Sequence, residues 1–260
     1  GDPVTITINL NVEKYGSLKI TKQDEDGAIV PKTSFKVSKN ADMSSPIGTY
    51  TTGADGSVTV NDLLPQKYYV QETAVPSHLV LDNTIHEVTV EANQTTTYTA
   101  RNNWVKGKVQ LRKIDPDSGK QVAGATYAIY NDKGQELERL VTKATGYVES
   151  GYLRFGEYTV REVIAPSGYI LNKTSYPVTI ATNEQKITVT GEDERQTGRL
   201  EITKEDSVTG SAAQGEATLK GAVYELRAKE NILDPADGSV KYAKDAVVAT
   251  LTTDANAKAS

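Results

Sequence analysis

The sequence predicts an all-β chain of tandem antiparallel β-sandwich modules, and three observations carry that prediction. A block of sequence recurs with a period near 90 residues; short alternating apolar runs are separated by turn residues; and the composition favours strands. Tyr (14) far outnumbers Phe (2), and Thr and Val recur throughout. At 260 residues the chain has room for one to three domains, each with its own core. Hydrophobic residues at 37% and charged residues at 24% fit a soluble globular chain and argue against disorder.

The repeat is clearest where each module opens. Gly16-Ser-Leu-Lys-Ile-Thr-Lys22-Gln-Asp24, Gly107-Lys-Val-Gln-Leu-Arg-Lys113-Ile-Asp115 and Gly198-Arg-Leu-Glu-Ile-Thr-Lys204-Glu-Asp206 are alike, and 91 residues separate each lysine from the next. Two of the three continue to a second shared block, Tyr68-Tyr-Val-Gln-Glu72-Thr-Ala-Val-Pro76 and Tyr158-Thr-Val-Arg-Glu162-Val-Ile-Ala-Pro166. That period is too long for a solenoid and suits a complete sandwich domain. Turns such as Asp24-Glu-Asp-Gly27, Gly53-Ala-Asp-Gly56, Asp115-Pro-Asp-Ser-Gly119 and Asn131-Asp-Lys-Gly134 divide the strands. Gln135–Leu140 reads as a candidate helical turn, and no long helix is expected. The expected organisation is a leftover or added N-terminal strand over residues 1–15, module one over 16–105, module two over 106–197 and an incomplete third module over 198–260.

Side chains two apart share a strand face, which gives three polar positions in each module an unusual phase. Leu18, Ile20 and Lys22 fall together, as do Val109, Leu111 and Lys113, and Leu200, Ile202 and Lys204. Glu72 is in phase with Tyr68 and Val70, and Glu162 with Tyr158 and Val160. Near each module's end, Asn102 follows Tyr98 and Ala100, and Asp193 follows Ile187, Val189 and Gly191. Eighty residues separate Lys22 from Asn102, and Lys113 from Asp193. One lysine at a strand end ordinarily snorkels to solvent. Three in-phase polar positions recurring at matched spacing point instead to an amine, a carboxyl and a carboxamide or second carboxyl converging inside each sandwich.

The opening Ile-Thr-Lys22-Gln-Asp-Glu-Asp-Gly, the block Val-Arg-Glu162-Val-Ile-Ala-Pro-Ser-Gly-Tyr169 and the terminal Asn102 resemble the B-type repeats of Gram-positive collagen adhesins, the prealbumin-like modules also found in pilin shafts. The resemblance covers both full modules and the third fragment. It implies an Ig-like or prealbumin-like sandwich in which lysine joins the Asn or Asp side chain in a spontaneous isopeptide bond assisted by the glutamate. Carried over, the sets are Lys22, Glu72 and Asn102, and Lys113, Glu162 and Asp193. Module one has His78-Leu79 where the family has Gly-Tyr, and Asp193 is the less common acceptor, which would expel water instead of ammonia. Lys204 has neither a glutamate block nor an acceptor strand in this chain, so it is expected to be unpaired and its module the least stable. The protein is expected to continue past Ser260 with both.

The implied function is a structural stalk of a cell-surface adhesin or pilus-like protein, extracellular and needing no cofactor or metal. Bond formation would be single-turnover maturation and not enzymatic catalysis. The absence of cysteine fits a staple that needs no oxidant. The competing readings are a host-protein or glycan binding module and an accessory domain of an enzyme. Adjacent modules are expected partners, with any host matrix protein or glycan bound through other parts of the protein. A formal charge of −5 gives no nucleic-acid footprint, and no apolar run approaches a membrane span.

Other signals carry less. Asn11 precedes Lys22 by the spacing of an upstream acceptor but lies opposite the apolar face of Ile6, Ile8, Leu10 and Val12. The acidic turns lack the ligand series of a calcium loop. His78 and His86 read as surface residues, and Trp104 reads as a linker residue with no sugar-stacking platform around it.

Overall fold

The computed structural model describes residues 3–8, 14–210, 213–215 and 217–260, and among these it is all β-structure with no helix. Among the described residues no helix is therefore long and apolar enough to cross a membrane. The contacts divide the chain into two compact units. One comprises Gly1–Lys108, Tyr152–Gly156 and Thr179–Gln185; the other comprises Val109–Gly151, Glu157–Val178 and Lys186–Ser260.

Module one is built from β1 (Gly16–Asp24), β2 (Ser34–Ser38), β3 (Pro46–Thr51), β4 (Ser57–Leu63), β5 (Gln66–Ala74), β6 (Ile85–Val90) and β7 (Thr95–Asn102). Its two sheets run β4-β1-β7 and β3-β2-β5-β6. The first and last strands are neighbours and run parallel, with Lys22 opposite Ala100 and Asp24 opposite Asn102. Strict alternation in β1 sends Gly16, Leu18, Ile20, Lys22 and Asp24 inward. Leu18 and Ile20 there join a core with Phe35, Val37, Tyr68, Val70 and Val90. The opening glycine is needed for space, because a Cβ at Gly16 would stand 2.1 Å from the Glu91 carbonyl oxygen.

Module two repeats the plan with β8 (Lys106–Ile114), β9 (Thr126–Asn131), β10 (Glu136–Val141), β11 (Tyr147–Glu149), β12 (Leu153–Arg154), β13 (Gly156–Ile164), β14 (Ser175–Ile180) and β15 (Gln185–Glu192). One sheet runs β10-β9-β13-β14; in the other, β8 pairs with β11, β12 and β15. The strand matching β4 is broken here at Ser150, whose hydroxyl accepts the Val109 N–H at 2.9 Å and donates to the Gly151 carbonyl at 2.7 Å. The expected helical turn at Gln135–Leu140 is instead strand β10, which pairs with β9 and buries Leu140. Cross-strand pairing and a buried leucine outweigh the local helix propensity of that stretch.

The third repeat forms three short pairs: β16 (Ile202–Thr203) with β21 (Lys258–Ala259), β17 (Val223–Arg227) with β20 (Val247–Thr252), and β18 (Ile232–Leu233) with β19 (Val240–Tyr242). Several of their apolar residues are open, including Val223 at 63% and Leu233 at 52% exposure, whereas β9 buries Tyr127, Ala128 and Ile129. At the N-terminus, residues 3–8 form no strand, contrary to the expected added or leftover strand. Val4, Ile6 and Ile8 are all exposed, so the alternation finds no sheet to cover it among the described residues. Asn11 lies outside the described residues.

Candidate functional site

Each complete module carries a buried polar cluster between its first and last strands. In module two, Lys113 ends the inward face of β8, Glu162 that of β13, and Asp193 follows β15 directly. Their exposures are 0%, 5% and 2%. Lys113 Nζ lies 3.0 Å from Glu162 Oε1 and also in contact with Asp193 Oδ1. Neither contact has the angles of a hydrogen bond, and both Asp193 oxygens lack a hydrogen-bond partner among the described residues. Glu162 Oε2 accepts the Asn172 N–H at 3.0 Å. Burial raises the Glu162 carboxyl well above the ordinary carboxylate range, and Lys113 and the Asn172 N–H only partly oppose it. The arrangement presses an amine against a carboxyl, with a second carboxyl that favours its neutral form.

Module one assembles the same types differently. Lys22, Glu72 and Asn102 are buried, at 0%, 5% and 5% exposure. Asn102 Nδ2 donates to Glu72 Oε1 and, at 2.7 Å, to the Val80 carbonyl. Glu72 Oε1 also accepts the Asp82 N–H at 3.1 Å. Lys22 Nζ donates to the Gln23 carbonyl at 2.9 Å, so the structure joins Glu72 to Asn102 and leaves the lysine on its own backbone. Burial lowers the Lys22 pKa, against the opposing charges of Glu72 and Asp24. Burial likewise raises that of Glu72, against the Asn102 and Asp82 hydrogen bonds. Both shifts move toward neutral amine and neutral acid.

A second buried latch lies two residues beyond each cluster, and sequence reasoning missed it. Asp24 Oδ1 accepts the N–H groups of Asp26 and Ala28, while Oδ2 accepts Trp104 Nε1 at 3.2 Å. Asp115 repeats this with the Asp117 N–H and Arg195, whose Nε donates to Oδ2 at 2.9 Å. Burial alone would raise the Asp115 carboxyl, but Arg195, the Asp117 N–H and the Ser118 hydroxyl hold it down at about 2. Trp104 is therefore no linker residue: it bridges Leu79, as Arg195 bridges Tyr169. Leu79 fills the place of Tyr169, and each follows the same turn back to its proline, Pro76 or Pro166, which absorbs the His78-Leu79 departure. Nor are the histidines plain surface residues. His78 lies 4.6 Å from the Trp104 ring and His86 5.3 Å from Tyr98, with Asp82 3.7 Å from His86 Nε2.

Lys204 is half-buried and its N–H donates to the Ala257 carbonyl at 2.8 Å. Among the described residues no group of three acidic or histidine side chains is arranged to hold a metal ion.

Two sandwiches, each with its first strand beside its last, have the architecture of a prealbumin-like fold domain. Residues 16–104 and 107–195 each match the SpaA prealbumin-like fold domain, and the chain belongs to that family. The solved structure of the Bacillus anthracis TIE protein is similar at a TM-score of 0.77 and 27% identity, over 94% of this chain and 42% of that one. The trypsin-resistant surface T6 protein of Streptococcus pyogenes serotype M6 is 31% identical over 72 residues, which is 28% of this chain and 13% of that protein. The chain thus spans less than half the length of either relative.

Proposed function

We propose that this chain is a force-carrying stalk segment of a Gram-positive cell-surface adhesin or pilus-like protein, closed in each complete module by an intramolecular isopeptide bond. The bonds join Lys22 to Asn102 and Lys113 to Asp193, with Glu72 and Glu162 assisting. The observation that carries this reading is Lys113, wholly buried and in contact with both Glu162 and Asp193. A buried ion pair alone is a poor source of stability, because desolvation offsets the attraction. Converted to an amide, the same groups carry no charge.

The chemistry follows from the surroundings. Desolvation favours a neutral amine, which is nucleophilic, and a protonated glutamate, which can donate to the acceptor carbonyl and shuttle protons. In module two packing holds the groups in contact and supplies the proximity free side chains lack. The amine attacks the side-chain carbonyl carbon; a C–N bond forms; ammonia leaves Asn102 and water leaves Asp193. Each module reacts once and has no external substrate.

The mechanical role follows from the topology. β1 and β7 are parallel neighbours, so tension on the module's two ends shears them against each other. With Lys22 joined to Asn102, the load passes along β1, across the bond and out, and residues 23–101 are bypassed. The surface location named for the T6 protein supports the extracellular setting. Single-molecule pulling tests the role: neither complete module should extend. Release of roughly 270 Å per module, the length of the bypassed chain, would overturn it.

A further inference from the structure

A buried hydroxyl without a partner stands at the module-two cluster. Tyr127 sits opposite Glu162 in the β9–β13 ladder, is 1% exposed, and its Oη makes no hydrogen bond among the described residues. Buried hydroxyls are nearly always paired, so this one calls for a role. Space has been made for it at Gly191, where a Cβ would stand 1.9 Å from Tyr127 Oη. The Gly191 backbone is ordinary strand, so glycine is required there for room and not for conformation. Gly191 precedes Asp193 by two residues, and both are buried, so the space that receives the hydroxyl lies on the strand face that leads to the acceptor. Lys113 Nζ lies 5.7 Å from the Tyr127 ring centroid. Burial, then the charges of Glu162 and Asp193, raise the phenol's pKa well above its ordinary value, so it remains a donor.

Module one has neither half of this pair. Phe35 holds the matching position opposite Glu72, and Ala100 precedes Asn102 by two. The hydroxyl and its glycine therefore accompany the acidic acceptor, and the phenyl and alanine accompany the amide. The acceptors differ in what they lack. Asn102 is already held by Glu72 and Val80, whereas both Asp193 oxygens have no hydrogen-bond partner.

We propose that Tyr127 is the specificity-determining residue that suits module two to an acidic acceptor, its hydroxyl donating to a carboxyl oxygen of Asp193 as Lys113 attacks. This rests on the isopeptide reading above. Neutral Lys113 amine adds to the carboxylic acid carbon of Asp193, and negative charge grows on the carbonyl oxygen, where a placed donor is most effective. The C–N bond forms, the C–O bond to the departing oxygen breaks, and the amine's proton leaves with that oxygen as water. No oxidant or other reactant is needed.

The test follows bond formation in the full chain during cell-free synthesis, scoring each module by mass after proteolysis: ammonia loss at Lys22–Asn102, water loss at Lys113–Asp193. Tyr127→Phe should slow the module-two bond at least tenfold and leave module one unchanged. Adding Asp193→Asn to Tyr127→Phe recreates module one's pairing and should restore rapid bonding, now with loss of ammonia. A Tyr127→Phe chain that bonds at the wild-type rate overturns the proposal. So does a double variant as slow as Tyr127→Phe alone, since the hydroxyl would then matter only for packing. If the wild-type chain forms no Lys113–Asp193 bond, the underlying isopeptide reading fails as well.

Discussion

Modules one and two put lysine, glutamate and acceptor at matching positions, but surround them differently. Module one sets Phe35 and Ala100 against an amide that is already hydrogen-bonded, and its latch is a neutral indole on Asp24. Module two sets Tyr127 and Gly191 against a carboxyl that touches Lys113 but accepts no hydrogen bond among the described residues, and its latch is the Arg195 guanidinium on Asp115. The geometry shared by both modules is the spacing from first strand to last. What varies is the set of donors around the acceptor, so acceptor chemistry and its neighbours change together.

The largest effect should come from removing a lysine. Lys113→Ala should lower the stability of module two by about 4–5 kcal/mol, the entropic value of closing a loop of this length. Lys22→Ala should do the same to module one, and each module's loss should leave the other's denaturation midpoint in place. Equal midpoints in wild type and variant would break the comparison at its root. The third repeat extends it to a face left uncovered. Limited proteolysis should trim residues 198–260 first, because Val223, Leu226 and Val247 of β17 and β20 are exposed and neither strand has a fully buried residue. Protection equal to that of the two modules would contradict this.

A smaller effect should follow from mixing the two packings. Phe35→Tyr in module one drives a hydroxyl toward the Ala100 methyl and should cost about 1–3 kcal/mol by overpacking. Adding Ala100→Gly should recover most of that loss, and a double-mutant cycle measures the coupling. The smallest effect concerns acid. Asp115 is held at about 2, below the ordinary 3.8, so its contribution is present above about pH 4 and lost as the pH falls through about 2. The stability gap between wild type and Arg195→Ala, read by chemical denaturation, should therefore shrink on acidification. A gap that widens would reverse the assigned sign.

Much of the cluster could be read from period-two alternation, because β1 and β8 are regular strands with one covered face. Lys22 and Lys113 continue the apolar phase of those strands, and both are wholly buried. Asp24 and Asp115 continue it two residues further, yet they read as turn residues, since Asp is common in turns for its own local hydrogen bonds. The available signal was the same 80-residue step that links lysine to acceptor, which also links Asp24 to Trp104 and Asp115 to Arg195. Tyr127 and Gly191 had no such signal. Their relation lies across two sheets, and nothing in the spacing of one strand reports where a phenol from another will end. At Gln135–Leu140 local propensity suggested a turn of helix, and pairing with β9 decided for strand. The alternation through Ile6 and Ile8 was legible but gave no hint that these two side chains would lie open.

The central claim is that each complete module closes one covalent bond between its first and last strands. Intact mass measurement on the purified chain tests it most directly. The mass should be lower than that of the sequence by one ammonia and one water, with tryptic peptides joined at Lys22–Asn102 and Lys113–Asp193. A mass equal to that of the sequence would contradict it.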